Sequence, residues 1–268
     1  MTKTLLLSAA VIALATAGSA ETIRMSVTTS FANSGLAEVL LPEIEKDIGL
    51  TIELLVVGTG QALKLGETGD VDAVLVHSRP AEEAFVAAGF GTHRREIMYN
   101  DFVFVGPSLD PAGVIGDASA VEALQDIASA EGTFVSRGDD SGTHKMELGL
   151  WKAAGITPEG SWYNAVGQGM GAALNTAAGM DAYILADRAS WLNFGNKGDL
   201  TIVFEGDPML FNQYAFIPVN PALHPHVKSE AVDALEAWLT GGHAKALIEG
   251  YTIDGQQLFV WCCQTNSN

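Results

Sequence analysis

Residues 136–144 read Ser-Arg-Gly-Asp-Asp-Ser-Gly-Thr-His, directly after the apolar run Thr133-Phe134-Val135 and at the start of a helix predicted over Ser141 to Ala154. A strand thus runs into glycines, small hydroxyls and one guanidinium, and the turn opens a helix. That is the chemistry of an oxyanion cradle. Glycines let the backbone approach a ligand, helix N-terminal N–H groups point at it, and the helix dipole favours negative charge there. Arg137 adds a planar fork of donors, and Ser141, Gly142 and Thr143 add hydroxyls and amides. Asp139 and Asp140 would repel an anion if aimed at it. They are expected to cap the helix, orient Arg137 or bond across a cleft, and a protonated phosphate could donate to such a carboxylate.

Three further turns have related chemistry: Val27-Thr28-Thr29-Ser30, Gly58-Thr59-Gly60-Gln61, and Gly167-Gln168-Gly169-Met170-Gly171. Each lies at a predicted strand end or helix start, where open α/β sheets bind ligands. Any one of them alone reads as a helix cap; the four together can converge on one anion. Asp139, Ser141 and His144 also invite a hydrolase reading with Ser141 as nucleophile. However, Ser141 is not in a Gly-x-Ser-x-Gly elbow, and His144, three residues on in the same helix, is poorly placed to serve it. Gly58-Thr59-Gly60 lacks the third glycine of a dinucleotide fingerprint and a following Walker lysine. Of the histidines, His224 and His226 alone are close-spaced, and they flank Pro225 as surface residues rather than as a metal pair. Trp151, Trp162 and Tyr163 are expected in packing.

The elements that must position these turns come in two α/β series. In the first, strands Thr22 to Thr28, Thr51 to Val57 and Val71 to Val76 alternate with helices Ser34 to Asp47 (Ser34 as N-cap), Gly58 to Leu65 and Pro80 to Ala88. The second has strands Thr133 to Val135, Asp181 to Leu185 and Leu200 to Phe204 among helices Ala118 to Ala130, Ser141 to Ala154, Gly169 to Ala178 and Asp187 to Phe194. Helices Val227 to Leu239 and His243 to Glu249 follow. Alternation of this kind predicts parallel sheets with covering helices. Two long extended runs, Ile97 to Val105 and Asn212 to Val219, join the series, as expected of a chain that leaves one lobe, builds a second and returns through a hinge. The expected fold is α/β and two-lobed, with residues 21–103 and 213–268 in lobe 1 and 104–212 in lobe 2.

The 268 residues are 48% hydrophobic, enough for one large or two small cores. Residues 1–20 read as a signal peptide: Lys3, an apolar stretch from Leu5 to Ala17, then small residues with cleavage after Ala20, or alternatively after Ala17. No cysteine lies there to carry a lipid anchor. The formal charge of −18 disfavours nucleic acid and anionic membranes, so an anion site must win at short range through oriented donors in a closed cleft. Cys262 and Cys263 are adjacent, and neighbouring cysteines pair only in a strained ring. They read as a tail feature, with an intermolecular disulfide as the alternative.

Val27-Thr28-Thr29-Ser30, Val57 to Leu63, Val76-His77, Met98 to Val103, Ser136 to His144, Gly167 to Gly171, Tyr183 with Ala186-Asp187-Arg188, and Val219-Asn220-Pro221 resemble the tungstate-binding periplasmic proteins of ABC transporters (TupA-like), within the type II solute-binding proteins. The resemblance spans roughly Ile23 to Gly250. It departs at Val27, where the family's motif has a threonine, and it leaves out the tail after Leu258. The resemblance implies a type II two-lobed fold and a monomer without cofactor or catalytic role. It further implies that the protein binds tungstate, and molybdate with it, in the periplasm and delivers the anion to a membrane permease. It also implies that Thr28, Thr29, Ser30, Thr59, Arg137, Ser141, Gly142 and Thr143 contact the oxyanion, with tungsten or molybdenum bound only as the oxyanion. A sulfate- or phosphate-binding protein is the alternative within the class.

Overall fold

Strand β1 (Glu21–Thr28) buries Ile23, Met25 and Val27 on one face, as its alternating pattern predicts. The computed structural model describes residues 21–262; the expected signal peptide and Cys263 lie outside the described residues. Thr28 caps a short helix, α1 (Thr29–Asn33). The single helix expected from Ser34 is corrected here. Ser34 closes α1, donating its hydroxyl to the Phe31 carbonyl at 2.7 Å, and Gly35 starts α2 (Leu36–Ile48). Gly35 sits at φ 80°, and a Cβ there would lie 2.5 Å from the Tyr251 hydroxyl, so both backbone and space require glycine. Leu36, Leu40 and Ile44 form the buried stripe of α2, each contributing about 1.5–3 kcal/mol.

The first series continues with β2 (Leu50–Val57), α3 (Thr59–Thr68), β3 (Ala73–Val76) and α4 (Arg79–Ala87). A thirteen-residue strand, β4 (Arg95–Pro107), leads to α5 (Ala120–Ser129), β5 (Phe134–Ser136), α6 (Gly142–Ala153), β6 (Tyr163–Ala165), α7 (Met170–Met180), β7 (Tyr183–Asp187), α8 (Arg188–Asn193) and β8 (Leu200–Phe204). The chain returns through a 3-10 turn (Pro208–Leu210) and β9 (Phe211–Pro218) to α9 (Ser229–Leu239) and α10 (Gly242–Gly250). It ends in β10 (Thr252–Ile253), β11 (Gln256–Gln257) and β12 (Val260–Trp261).

The sheet order is β2-β1-β3-β9-β4-β7-β5-β6, with β8 and β12 also on β4. Pairs β1–β2, β1–β3, β5–β6 and β5–β7 are parallel. The long strands join them antiparallel, so the sheet is mixed. β4 changes partners midway: Arg95 to Asp101 pairs with β9, whereas Phe102 to Pro107 pairs with β7 and β8. One strand thus belongs to both halves of the fold. Arg188 ties the crossing with two bonds to Asp101 at 2.7 and 2.6 Å and one to Glu205 at 2.6 Å.

The tail is not featureless. Leu258 and Phe259 are buried in the first core, and β12 pairs with Met98 and Tyr99 of β4. Cys262 follows, half-buried; its N–H donates to the Ile97 carbonyl at 3.0 Å, and burial pushes its thiol pKa up. Trp151, Trp162, Tyr163 and Phe134 pack on one another in the second core, as expected. His224 and His226 each place Nε2 on a carbonyl, of Glu67 and Gly69, and so fasten their loop to the end of α3.

Candidate functional site

The four turns meet. Gly58 lies against the Asp139 carbonyl, Gly60 against the Asp140 carboxylate, and Gly169 against the Thr29 side chain. Among the bonds between the two series, two join these turns directly: Arg137 Nη2 to Thr29 Oγ1 at 3.2 Å, and Gly142 N to Thr59 Oγ1 at 2.9 Å. Each joins a residue of the first series to one of the second.

Arg137 is only 2% exposed. Burial lowers its pKa, and Asp139 opposes that shift. Asp139 Oδ2 accepts from Arg137 Nη2 at 2.5 Å and Oδ1 accepts from Ser141 N at 3.2 Å. The acid therefore orients the guanidinium and serves the helix start, two of its expected roles. Arg137 Nε reaches the Gln168 carbonyl at 3.4 Å, and Nη1 reaches Thr143 Oγ1 at 3.5 Å. Asp140 is exposed, with one carboxylate oxygen against Gly60 and the other paired with Lys145 at 3.3 Å.

The hydroxyls share one feature. Thr28 Oγ1 accepts from Phe31 N, Thr29 from Arg137, Thr59 from Gly142 N, Ser141 from His144 N and Thr143 from Arg137. Among the described residues none of these five donates, so each keeps an O–H for a ligand. Ser30 Oγ is buried with no partner at all. Helices α3 and α7 start at Gly58 and Gly169 without a side-chain cap, leaving their first N–H groups free of side-chain acceptors. A buried cation, several spare O–H donors and open helix starts suit a ligand whose every atom accepts.

The residues expected at the site are therefore gathered at these turns. The Ser141 hydroxyl accepts from the His144 amide, while His144 Nδ1 accepts from the Asp140 amide at 3.2 Å. The ring is engaged away from the serine, which removes the geometry of the hydrolase reading. What the sequence reading missed is the floor. Asp187 is fully buried and accepts from Asn100 Nδ2 at 2.7 Å, Asn212 Nδ2 at 3.0 Å, the Tyr214 hydroxyl at 3.0 Å and Ser190 N at 3.2 Å. Burial pushes its pKa up, and these donors pull it back. The signal was available: Asn100 and Asn212 interrupt otherwise apolar runs, and buried polar side chains in strands need partners.

Gly142 has no room for a side chain. A Cβ would lie 2.8 Å from His77 Cε1, 2.9 Å from His77 Nδ1 and 3.1 Å from Thr59 Oγ1. Gly142→Ala is expected to weaken oxyanion binding about ten- to hundredfold, since overpacking costs about 1–3 kcal/mol. Stability without ligand should fall too, by about 1–3 kcal/mol offset in part by the better helix propensity of alanine, because the crowding by His77 is present without ligand. Calorimetric titration alongside thermal unfolding checks both halves; unchanged affinity would show that the cleft does not close on Gly142.

Residues 15–242 match the model of the PBP superfamily domain. The chain is 47% identical over 231 residues to the tungstate-binding protein TupA of Peptoclostridium acidaminophilum, covering 85% of this chain and 81% of that protein. It superposes on the tungstate ABC transporter structure from Geobacter sulfurreducens with a TM-score of 0.81 at 50% identity, covering 86% and 99% of the two chains. The tungstate-binding protein TupA from Desulfovibrio alaskensis G20 gives a TM-score of 0.79 at 44% identity, covering 91% and 100%. At this identity and coverage, over a cleft in which the matching turns converge, the chain belongs to the TupA family of the PBP superfamily.

Proposed function

We propose that this protein is an extracytoplasmic solute-binding protein that captures tungstate, and molybdate with it, for an ABC importer. The observation that carries the reading is the buried Arg137, already oriented by Asp139, among five hydroxyls that accept but do not donate. Thr28, Thr29, Ser30 and Thr59 serve the anion from one lobe; Arg137, Ser141, Gly142 and Thr143 serve it from the other. Residues 21–103 with 213–262 form lobe 1 and residues 104–212 lobe 2, so that both boundaries fall inside long strands and the hinge is β4 and β9. Residues 1–20 direct export to the periplasm, where the protein acts as a monomer on a membrane permease. No helix among the described residues is long and apolar enough to cross a membrane.

A fully deprotonated anion can accept from every donor of the site, whereas a protonated phosphate would have to give its proton to one of the lone pairs that Asp139 keeps beyond its bonds to Arg137 and Ser141 N. Size then separates sulfate, whose shorter bonds leave donors fitted to tungstate unmet at about 1–3 kcal/mol each. Two or three such losses give several orders of magnitude. Calorimetric titration is expected to rank tungstate at least level with molybdate and both far above sulfate and phosphate. Displacement of tungstate by equimolar sulfate would move the protein to the sulfate or phosphate reading.

A further inference from the structure

Three adjacent parallel strands leave the first half of the sheet at one edge. Thr28 of β1 is level with Val57 of β2, and Val27 with Leu75 of β3. The residues just beyond these ends are Thr29, then Gly58 with Thr59, and His77. The first two positions supply hydroxyls to the cleft. The third supplies an imidazole, for which the sequence suggested no role.

His77 is 7% exposed, and neither ring nitrogen has a hydrogen-bond partner. Buried polar groups are ordinarily satisfied, so an imidazole idle at both nitrogens points to a group that binds there. Its surroundings are those of the anion site. The ring edge lies over Gly142, at the same spot Thr59 Oγ1 approaches. One flank rests on Tyr214, with ring centroids 4.7 Å apart, and Phe102 lies beyond at 6.1 Å. Asn212, whose Oδ1 is likewise without a partner at hydrogen-bond distance, lies near enough to act on the ring as a hydrogen-bonding neighbour, and the Arg137 charge is also close.

We propose that His77 is a further ligand-binding residue of this cleft, giving one ring N–H to the bound oxyanion alongside Arg137 and the hydroxyls. The inference rests on the reading of the protein as an oxyanion-binding protein. Burial, reinforced by Arg137, lowers the ring's pKa to about 3, so the imidazole is neutral at ordinary pH and contributes a donor without a second charge. Arg137 then remains the only fully buried lysine or arginine side chain among the described residues, and the site gains a directional donor from the lobe that otherwise offers hydroxyls and amides.

The test uses the mature chain labelled with 15N-histidine, together with calorimetry on His77→Phe, His77→Asn and His77→Gln. On saturating the wild type with sodium tungstate, one His77 ring nitrogen should shift as a hydrogen-bonded N–H with the neutral pattern kept. His77→Phe should bind tungstate at least tenfold more weakly, and either His77→Asn or His77→Gln, which restore a donor near one ring nitrogen, should recover part of the loss. His77 resonances that do not respond in a wild type that binds tungstate, or a folded His77→Phe with wild-type affinity, would overturn the assignment and leave the oxyanion reading intact. A wild type that binds none of the four oxyanions would overturn the reading and His77's role with it.

Discussion

Replacing Arg137 with alanine is expected to lower tungstate affinity by two to three orders of magnitude. The loss is larger than that of one hydrogen bond because of Asp139. In the native site the guanidinium and this carboxylate are paired in a buried cleft. Without Arg137 the carboxylate stands unpaired beside an incoming dianion. Truncating a buried, hydrogen-bonded charged partner of a bound ion costs about 2–5 kcal/mol of binding, and about 1.4 kcal/mol is a decade in affinity. Arg137→Ala combined with Asp139→Asn should therefore bind more tightly than Arg137→Ala alone, since the repulsive charge has gone. Titration calorimetry on both variants, with circular dichroism to confirm folding, decides the matter. Wild-type affinity in Arg137→Ala would remove the site from this cleft.

The largest effect on stability should come from Asp187→Ala, at about 3–5 kcal/mol. Its carboxylate gathers Asn100 from β4, Asn212 and Tyr214 from β9, and the first turn of α8. Deleting it strands buried donors on both long strands at the point where β4 changes partners, and unmet buried donors cost about 1–3 kcal/mol each. Asp187→Asn keeps the volume and one acceptor oxygen. It should lose roughly 1–2 kcal/mol, chiefly through the bond to Ser190 N. Urea unfolding followed by tryptophan fluorescence measures both; equal stability of wild type and Asp187→Ala would show that the polar floor does not hold the hinge.

What is legible in the sequence of this protein is its local chemistry. The turns at Thr28, Thr59, Ser136 to Thr143 and Gly169 owe their form to hydroxyls, glycines and a following helix within a few residues of one another. The same holds for the capping by Ser141, which binds His144 N three residues away. Strand and helix periods are equally local, and the second series needed only the addition of β6. Differences arise where a distant contact overrides the local pattern. Ser34 looks like a helix cap, but Tyr251 packs over Gly35 and the break falls one residue later. The tail after Leu258 carries no strong strand signal of its own, and β12 forms because the edge of β4 is free to pair with it.

The amino-acid sequence by itself determined the α/β class, the two series, the crossing runs and the hydroxyl, glycine and guanidinium composition of the turns. All of these are written in residue types and spacings a few positions long. Only the tertiary structure decided that Arg137 meets Thr29, that Asp187 gathers Asn100 and Asn212, and that His77 is left idle over Gly142. Arg137 and Thr29 stand 108 positions apart in the chain, and Asp187 and Asn100 stand 87 apart. A side chain's partners at that range are chosen by sheet order and register, which local pattern does not encode.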